Sequence, residues 1–90
     1  MAQIHAVVAG DVQGVSFRYY TVQQAKALGL KGFVRNCPDG SVEVIAQGNK
    51  EQLLQVVEWL KKGPGFASVS RVSVEWQPEG KKFEKFSVEY

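Results

Sequence analysis

Ninety residues, 44% of them apolar and 22% charged, suffice for one packed domain spanning 1–90. Eleven basic against nine acidic side chains leave a net charge of +2, too small and too scattered to mark a nucleic-acid or membrane-binding surface. The single Cys37 excludes an internal disulfide, and with the single His5 it falls short of a zinc set, so a Cys-and-His metal site is not expected. No apolar run approaches the ~20 residues of a membrane span, and strand-like alternation begins by Gln3 or Ile4 in place of a leader, which points to a cytoplasmic location.

Residues 3 to 9 alternate, with Ile4, Ala6 and Val8 on one face, and predict a first strand that ends at Gly10. His5 lies on the opposite face, with no carboxylate or cysteine placed by the pattern to orient it, and is read as structural. The stretch Gly10-Asp-Val-Gln-Gly-Val-Ser-Phe-Arg18 then hands the strand over to a helix. Gly10 and Gly14 allow a sharp turn that brings backbone N–H groups close to a ligand, just ahead of a helix N-terminus. Arg18 adds a permanent charge and a planar fork of donors, which together suit a phosphoryl group. The spacing is neither the Walker pattern nor the dinucleotide fingerprint.

Ser16 is the expected helix cap, and Phe17, Tyr20, Thr21, Gln24, Ala25 and Leu28 recur at helical steps over roughly 17–28, with Phe17 and Tyr20 assigned to the core. Lys31 to Asn36 predicts a second strand, Pro38-Asp39-Gly40 a turn, and Ser41 to Gln47 a third strand, making a hairpin. Leu53, Val56, Val57 and Leu60 form the buried stripe of a second helix over roughly 50–62, stopped by Gly63-Pro64-Gly65. Val69 to Trp76 alternates as a fourth strand, with Val72, Val74 and Trp76 on one face. Phe86, Val88 and Tyr90 mark a short fifth strand.

The order βαββαβ, extended by that C-terminal strand, predicts an α+β, ferredoxin-like sandwich: an antiparallel sheet with both helices on one face. In that topology strands one and two run parallel with strand three between them. Their C-terminal ends therefore share an edge, and Arg18 and Asn36 face each other across two strand spacings, ~10 Å, a gap that the glycine loop and one small ligand can fill. The lesser alternative for Asn36 is to cap the Pro38-Asp39-Gly40 turn.

Gly10-Asp-Val-Gln-Gly-Val-Ser-Phe-Arg18 and Gly32-Phe-Val-Arg-Asn36 resemble the two signature stretches of acylphosphatases. Asp39-Gly40, Val42, Glu43 and Gly48 also fit the second signature, and Gly63-Pro64, Ala67 and Val69 resemble the family's connection into the fourth strand. The resemblance implies hydrolysis of a carboxyl-phosphate mixed anhydride to a carboxylate and inorganic phosphate, without a metal, another cofactor or a covalent intermediate. A carboxylate leaves readily, so no strong general acid is required. The resemblance gives Arg18 and the loop residues Val12, Gln13, Gly14, Val15 and Ser16 the task of holding the phosphoryl oxygens, and Asn36 that of positioning the attacking water. The expected partners are a small acyl phosphate and phosphate, with no nucleic acid and no membrane, and a monomer is expected. No stretch marks the acyl side of a pocket.

Two other classes share parts of this pattern. Lys31-Gly32-Phe33 imitates the start of the aromatic motif of an RNA-binding RRM domain, but Val34-Arg35-Asn36 does not continue it, and the match falls on the second strand instead of the third. A non-catalytic ferredoxin-like ligand-binding module, or an acylphosphatase-like module of a larger carbamoyl-transfer protein, carries similar residues; a 90-residue chain without cysteine-rich or nucleotide-binding additions favours the stand-alone enzyme. Because the sequence lacks a metal-ligand set, acyl phosphate hydrolysis is expected to persist unchanged in excess chelator. Phosphate release from acetyl or benzoyl phosphate checks this, and abolition by the chelator contradicts it.

Overall fold

The computed structural model describes residues 1–65 and 67–90, with only the backbone of Val15. The described residues form β1 (Ala2–Asp11), α1 (Val15–Ala27), β2 (Lys31–Asn36), β3 (Val42–Gly48), α2 (Lys50–Lys62), β4 (Ser68–Gln77) and β5 (Phe86–Val88). The strands make one sheet in the order β4-β1-β3-β2-β5. β1 pairs antiparallel with β3 and with β4, and β2 antiparallel with β3, so β1 and β2 run parallel with β3 between them, as the strand order requires. The sheet is mixed, not antiparallel throughout. β5 adds to the edge of β2 in parallel, Gly32 opposite Phe86 and Val34 opposite Val88. A strand that reaches the edge after a long return along the sheet is free to pair in either sense, and its short apolar run does not encode which.

The alternation in the strands explains the core. Ile4, Ala6 and Val8 of β1, Val34 of β2, and Val42, Val44 and Ala46 of β3 are all buried, and they meet Phe17, Val22 and Ala25 of α1 and Leu53, Val56, Val57 and Leu60 of α2. Each fully buried Val, Leu, Ile or Phe side chain among them contributes about 1.5–3 kcal/mol relative to exposure. The opposite face carries the alternate residues, among them Gln3, His5, Glu43, Gln47, Phe33 and Arg35, and is partly closed by the segment 78–85. Gln47 donates to the Lys81 carbonyl and accepts from the Phe83 amide, and the Phe33 and Phe83 rings pack edge on at 5.7 Å between centroids.

Several element boundaries shift for local reasons. β1 continues past Gly10 to Asp11 because a bulge between Ala9 and Gly10, with Gly10 at φ +133°, lets the strand bend while still pairing with Val69 and Ser68. α1 starts at Val15 with Gly14 as its N-cap, so Ser16 sits inside the first turn and caps nothing. The buried face of α1 is also rotated from the expected stripe. Arg18 and Val22 are buried and Tyr20 is about half exposed, because α1 packs toward β2 and the added edge strand β5. On the other edge, Val72 and Val74 of β4 pack against the core, while Trp76 stays exposed on a strand paired on one side alone. β5 stops at Val88, short of Tyr90.

Gly32 shows how tightly the parallel edge is built. It sits at φ +142° inside β2, its amide donates to the Lys85 carbonyl at 3.0 Å, and a Cβ would overlap the Ile45 carbonyl of β3. Gly32→Ala should therefore lower stability by on the order of 3 kcal/mol, combining backbone strain with the clash. A urea unfolding midpoint that matches the parent would show that the strand accommodates the side chain.

Candidate active site

The junction of β1 and α1 is shaped by two glycines with backbone angles that L side chains rarely adopt, Gly10 at φ +133° and Gly14 at φ +135°. Val12 lies between them with its side chain in the core, 1% exposed, and anchors the loop from below. Gly14 brings no side chain to cap α1, and the first turn contains no acidic residue, whereas α2 carries Glu51 in its first turn. The leading amides of α1, at Val15, Ser16 and Phe17, lie in the turn where no earlier helical carbonyl is available. An uncapped helix start with no acid near it favours an outside anion, by the partial positive charge of the helix and by free donors.

Arg18 reinforces that charge. Its backbone amide and its Nε both point to the Gly14 carbonyl, at 3.5 and 3.4 Å, so the side chain folds back along the loop. The Tyr90 ring lies over the guanidinium at 5.1 Å, a cation–π contact made by the chain terminus. Arg18 is buried, yet no carboxylate pairs with it among the described residues.

The Gln13 side chain joins the loop to the hairpin. Its Nε2 donates to the Cys37 carbonyl at 2.7 Å and to the Ser41 carbonyl at 2.9 Å, so one amide spans the two sides of the β2–β3 turn. That turn is closed independently: the Cys37 amide donates to the Ser41 carbonyl, the Gly40 amide to the Cys37 carbonyl, and Asp39 Oδ1 accepts from both the amide and the hydroxyl of Ser41. The Ser41 hydroxyl, then its amide, hold the Asp39 carboxyl below its ordinary range. Asn36 takes no part in this turn among the described residues. Its Oδ1 is buried without a hydrogen-bond partner, one residue before the carbonyl that Gln13 grips.

Of the residues singled out in the sequence, Val12, Gln13 and Gly14 therefore sit in the loop, Ser16 is exposed in the first helical turn, and the side chain of Val15 lies outside the described residues. Sequence reasoning assigned the loop its backbone amides and overlooked what the Gln13 side chain does. It also placed Tyr90 in a strand, not over Arg18. A carboxamide in a glycine loop signals a tether only once the hairpin beside it is known.

His5 has the partner that its sequence surroundings did not reveal. Its Nε2 is 2.7 Å from Glu43 Oε2, while Arg35 Nε donates to Glu43 Oε1. Burial pushes the Glu43 carboxyl up, but the hydrogen bonds from His5 and Arg35, with their charges, outweigh it and hold the group below its ordinary value of 4.5. The Glu43 hydrogen bond in turn raises the Arg35 guanidinium. This chain crosses three strands on the face away from the helices, beside Asn36 in sequence but on the other side of the sheet. Among the described residues no group of three or more His, Cys, Asp or Glu side chains could hold a metal ion, and no helix is long and apolar enough to cross a membrane.

The architecture is that of a ferredoxin-like α+β protein with a cationic, uncapped helix start at one sheet edge, where an anion can be received. A family model for acylphosphatase matches residues 4–88. An acylphosphatase of Acaryochloris marina is 46% identical over 94% of this chain and 90% of its own length, and one of Pasteurella multocida is 49% identical over 93% of both. The crystal structure of acylphosphatase from Bacillus subtilis superposes with a TM-score of 0.95 at 38% identity, covering 100% of each chain. The chain belongs to the acylphosphatase family, hydrolases that act on the anhydride bond of small acyl phosphates.

The Glu43 cluster has a pH signature. A carboxyl held below its ordinary value favours the folded state when ionised, so its contribution is present above pH ~4.5 and is lost as pH falls through the lowered value. Glu43→Gln should reduce the thermal midpoint at pH 7, and the gap to the parent should close as the pH is lowered below that range. A gap that stays constant across a pH series of melting curves would remove the ionised carboxylate as its cause.

Proposed function

We propose that this acylphosphatase hydrolyses its substrate by in-line attack of a water positioned by Asn36, with the phosphoryl group held by residues 12–16 and Arg18. The observation that carries the reading is the tether from Gln13, which sets the glycine loop and the end of β2 against each other at one sheet edge. The helix start and Arg18 supply donors and positive charge for the equatorial phosphoryl oxygens, where charge resides in phosphoryl transfer. Arg18 reaches them as a planar fork, which a lysine cannot copy.

Asn36 brings neutral chemistry. A buried carboxamide oxygen without a protein partner costs about 1–3 kcal/mol, and a water that donates to it in the site removes that cost while being held for attack. As the water oxygen bonds to phosphorus, the bond from phosphorus to the carboxylate oxygen breaks, and the electron pair leaves with the carboxylate. One water hydrogen stays on the attacking oxygen and the other passes to a phosphoryl oxygen, so the product is dihydrogen phosphate. A stable carboxylate needs no protonation to depart, so neither His5 nor Cys37 has a task in the step.

The two residues should separate in mutants. Arg18→Ala should cost on the order of a thousandfold in kcat/KM and abolish competitive inhibition by phosphate. Asn36→Ala should lower kcat roughly a hundredfold with little change in phosphate inhibition or thermal midpoint. Steady-state kinetics beside melting curves decide it: a large midpoint drop with near-normal kcat makes Asn36 a structural residue, and normal phosphate inhibition in Arg18→Ala moves the site away from this loop.

A further inference from the structure

The sheet ends on β4, whose outer side pairs with no strand among the described residues. Its sequence, Ser68–Gln77, contains none of the residues that usually blunt such an edge: no proline, no glycine and no lysine. The bulge beside Ala9 and Gly10 distorts only the first residues of β4, and from Arg71 to Gln77 the register with β1 is unbroken. A regular, open edge of this kind is a template for another strand.

The far side of the sheet fixes which backbone groups that edge presents. The Gly32 amide donates to the Lys85 carbonyl and the Val34 carbonyl accepts from the Glu89 amide, so these two residues of β2 aim at β5, and Phe33 between them aims at β3. Hydrogen-bonding direction alternates along each strand, and the two members of a bonded antiparallel pair aim at each other. Carried through β3, where Ala46 and Val44 meet Ile4 and Ala6, the alternation makes His5 with Glu75 and Val7 with Ser73 the bonded pairs between β1 and β4. Val72 and Val74 therefore aim their N–H and C=O groups outward.

The side chains of this edge are complementary to themselves. Val72 and Val74 pack toward the core, and Arg71, Ser73 and Glu75 lie on the opposite face, all three exposed. Arg71 has no hydrogen-bond or ion-pair partner among the described residues, and Glu75 accepts from Gln77 Nε2 at 2.9 Å. A second copy laid antiparallel along β4 and centred on Ser73 sets Val72 of each copy against Val74 of the other, where they exchange both main-chain bonds. The same register sets Arg71 against Glu75 twice, in the non-bonded positions where side chains come closest. Sliding one copy by two residues sets a charge against Ser73, and sliding it by four sets like charges against each other. Trp76, 45% exposed at the end of the edge, then lies over the second copy beside Ser70.

We propose that β4 is a self-association edge, on which two copies of this chain pair antiparallel about a two-fold axis at Ser73 and join their sheets into one. The ladder is short, because the bulge ends it near Ser70, and it buries less than a standard interface. The dimer is therefore transient, with a Kd on the order of 100 μM, and the chain is monomeric in dilute solution. Neither Arg18 nor Asn36 lies on β4, so each copy keeps its own site.

Sedimentation equilibrium at low salt, on samples from about 10 μM to about 1 mM, tests this. The parent should follow a monomer–dimer equilibrium. Arg71→Glu alone and Glu75→Arg alone each set like charges against each other twice, and each should raise Kd by about tenfold or more. An equimolar mixture of the two variants should regain the parental Kd, because in the mixed dimer both facing positions again hold one arginine and one glutamate. Both positions are exposed, so the variants keep the fold, and unchanged acyl phosphate hydrolysis in dilute solution checks this. A parent that stays monomeric over the whole range, single variants that associate as tightly as the parent, or a mixture that associates no better than its components would each overturn the proposal.

Discussion

The hydrogen bonds from the Gln13 carboxamide to the carbonyls of Cys37 and Ser41 are the contact on which the arrangement of the site depends. Without them the glycine loop and the β2–β3 hairpin are joined through the sheet alone, and each side of the site would keep its shape without a fixed distance to the other. The tether acts across a short gap because β1 and β2 run parallel on either side of β3, which brings their C-terminal ends to one edge. A side chain of Gln length, with two N–H donors on one nitrogen, can grip both strands of a turn at once.

The same edge shows a division of labour between the sheet faces. Toward the helices lie the core, Arg18 and a groove between α1 and β5; away from them lie His5, Glu43 and Arg35, linked in a row. Arg35 and Asn36 are neighbours in β2, so alternation sends one to each face. The ionic row steadies the strand that delivers Asn36 while keeping its own charges off the helix face, where a carboxylate would compete with an anionic ligand for Arg18. The first turn of α1 likewise holds no acidic residue.

Departures between expectation and structure concentrate at β5. The addition of a parallel strand to the edge of β2 turns the buried face of α1 toward Arg18 and Val22 and leaves Tyr20 half exposed. It also opens the groove at the flank of α1. All of these features depend on which edge a three-residue strand joins, and Phe86 and Val88 would be apolar neighbours at either one.

The sequence by itself determined the elements whose signals are local: the alternation of β1 to β4, the stripe of α2 over Lys50–Lys62, the turn at Pro38-Asp39-Gly40, and the glycine stretch that leads from β1 into α1. These follow from residue periodicity and backbone freedom, which need no partner to be read. Tertiary structure alone decided the parallel seat of β5, the Gly14 cap, the Gln13 tether, the partner of His5 and the place of Tyr90 over Arg18. Each of these joins residues far apart in the chain, or, at Gly14, turns on a backbone angle that glycine permits without requiring. Such choices are settled by which surfaces the packed sheet brings together.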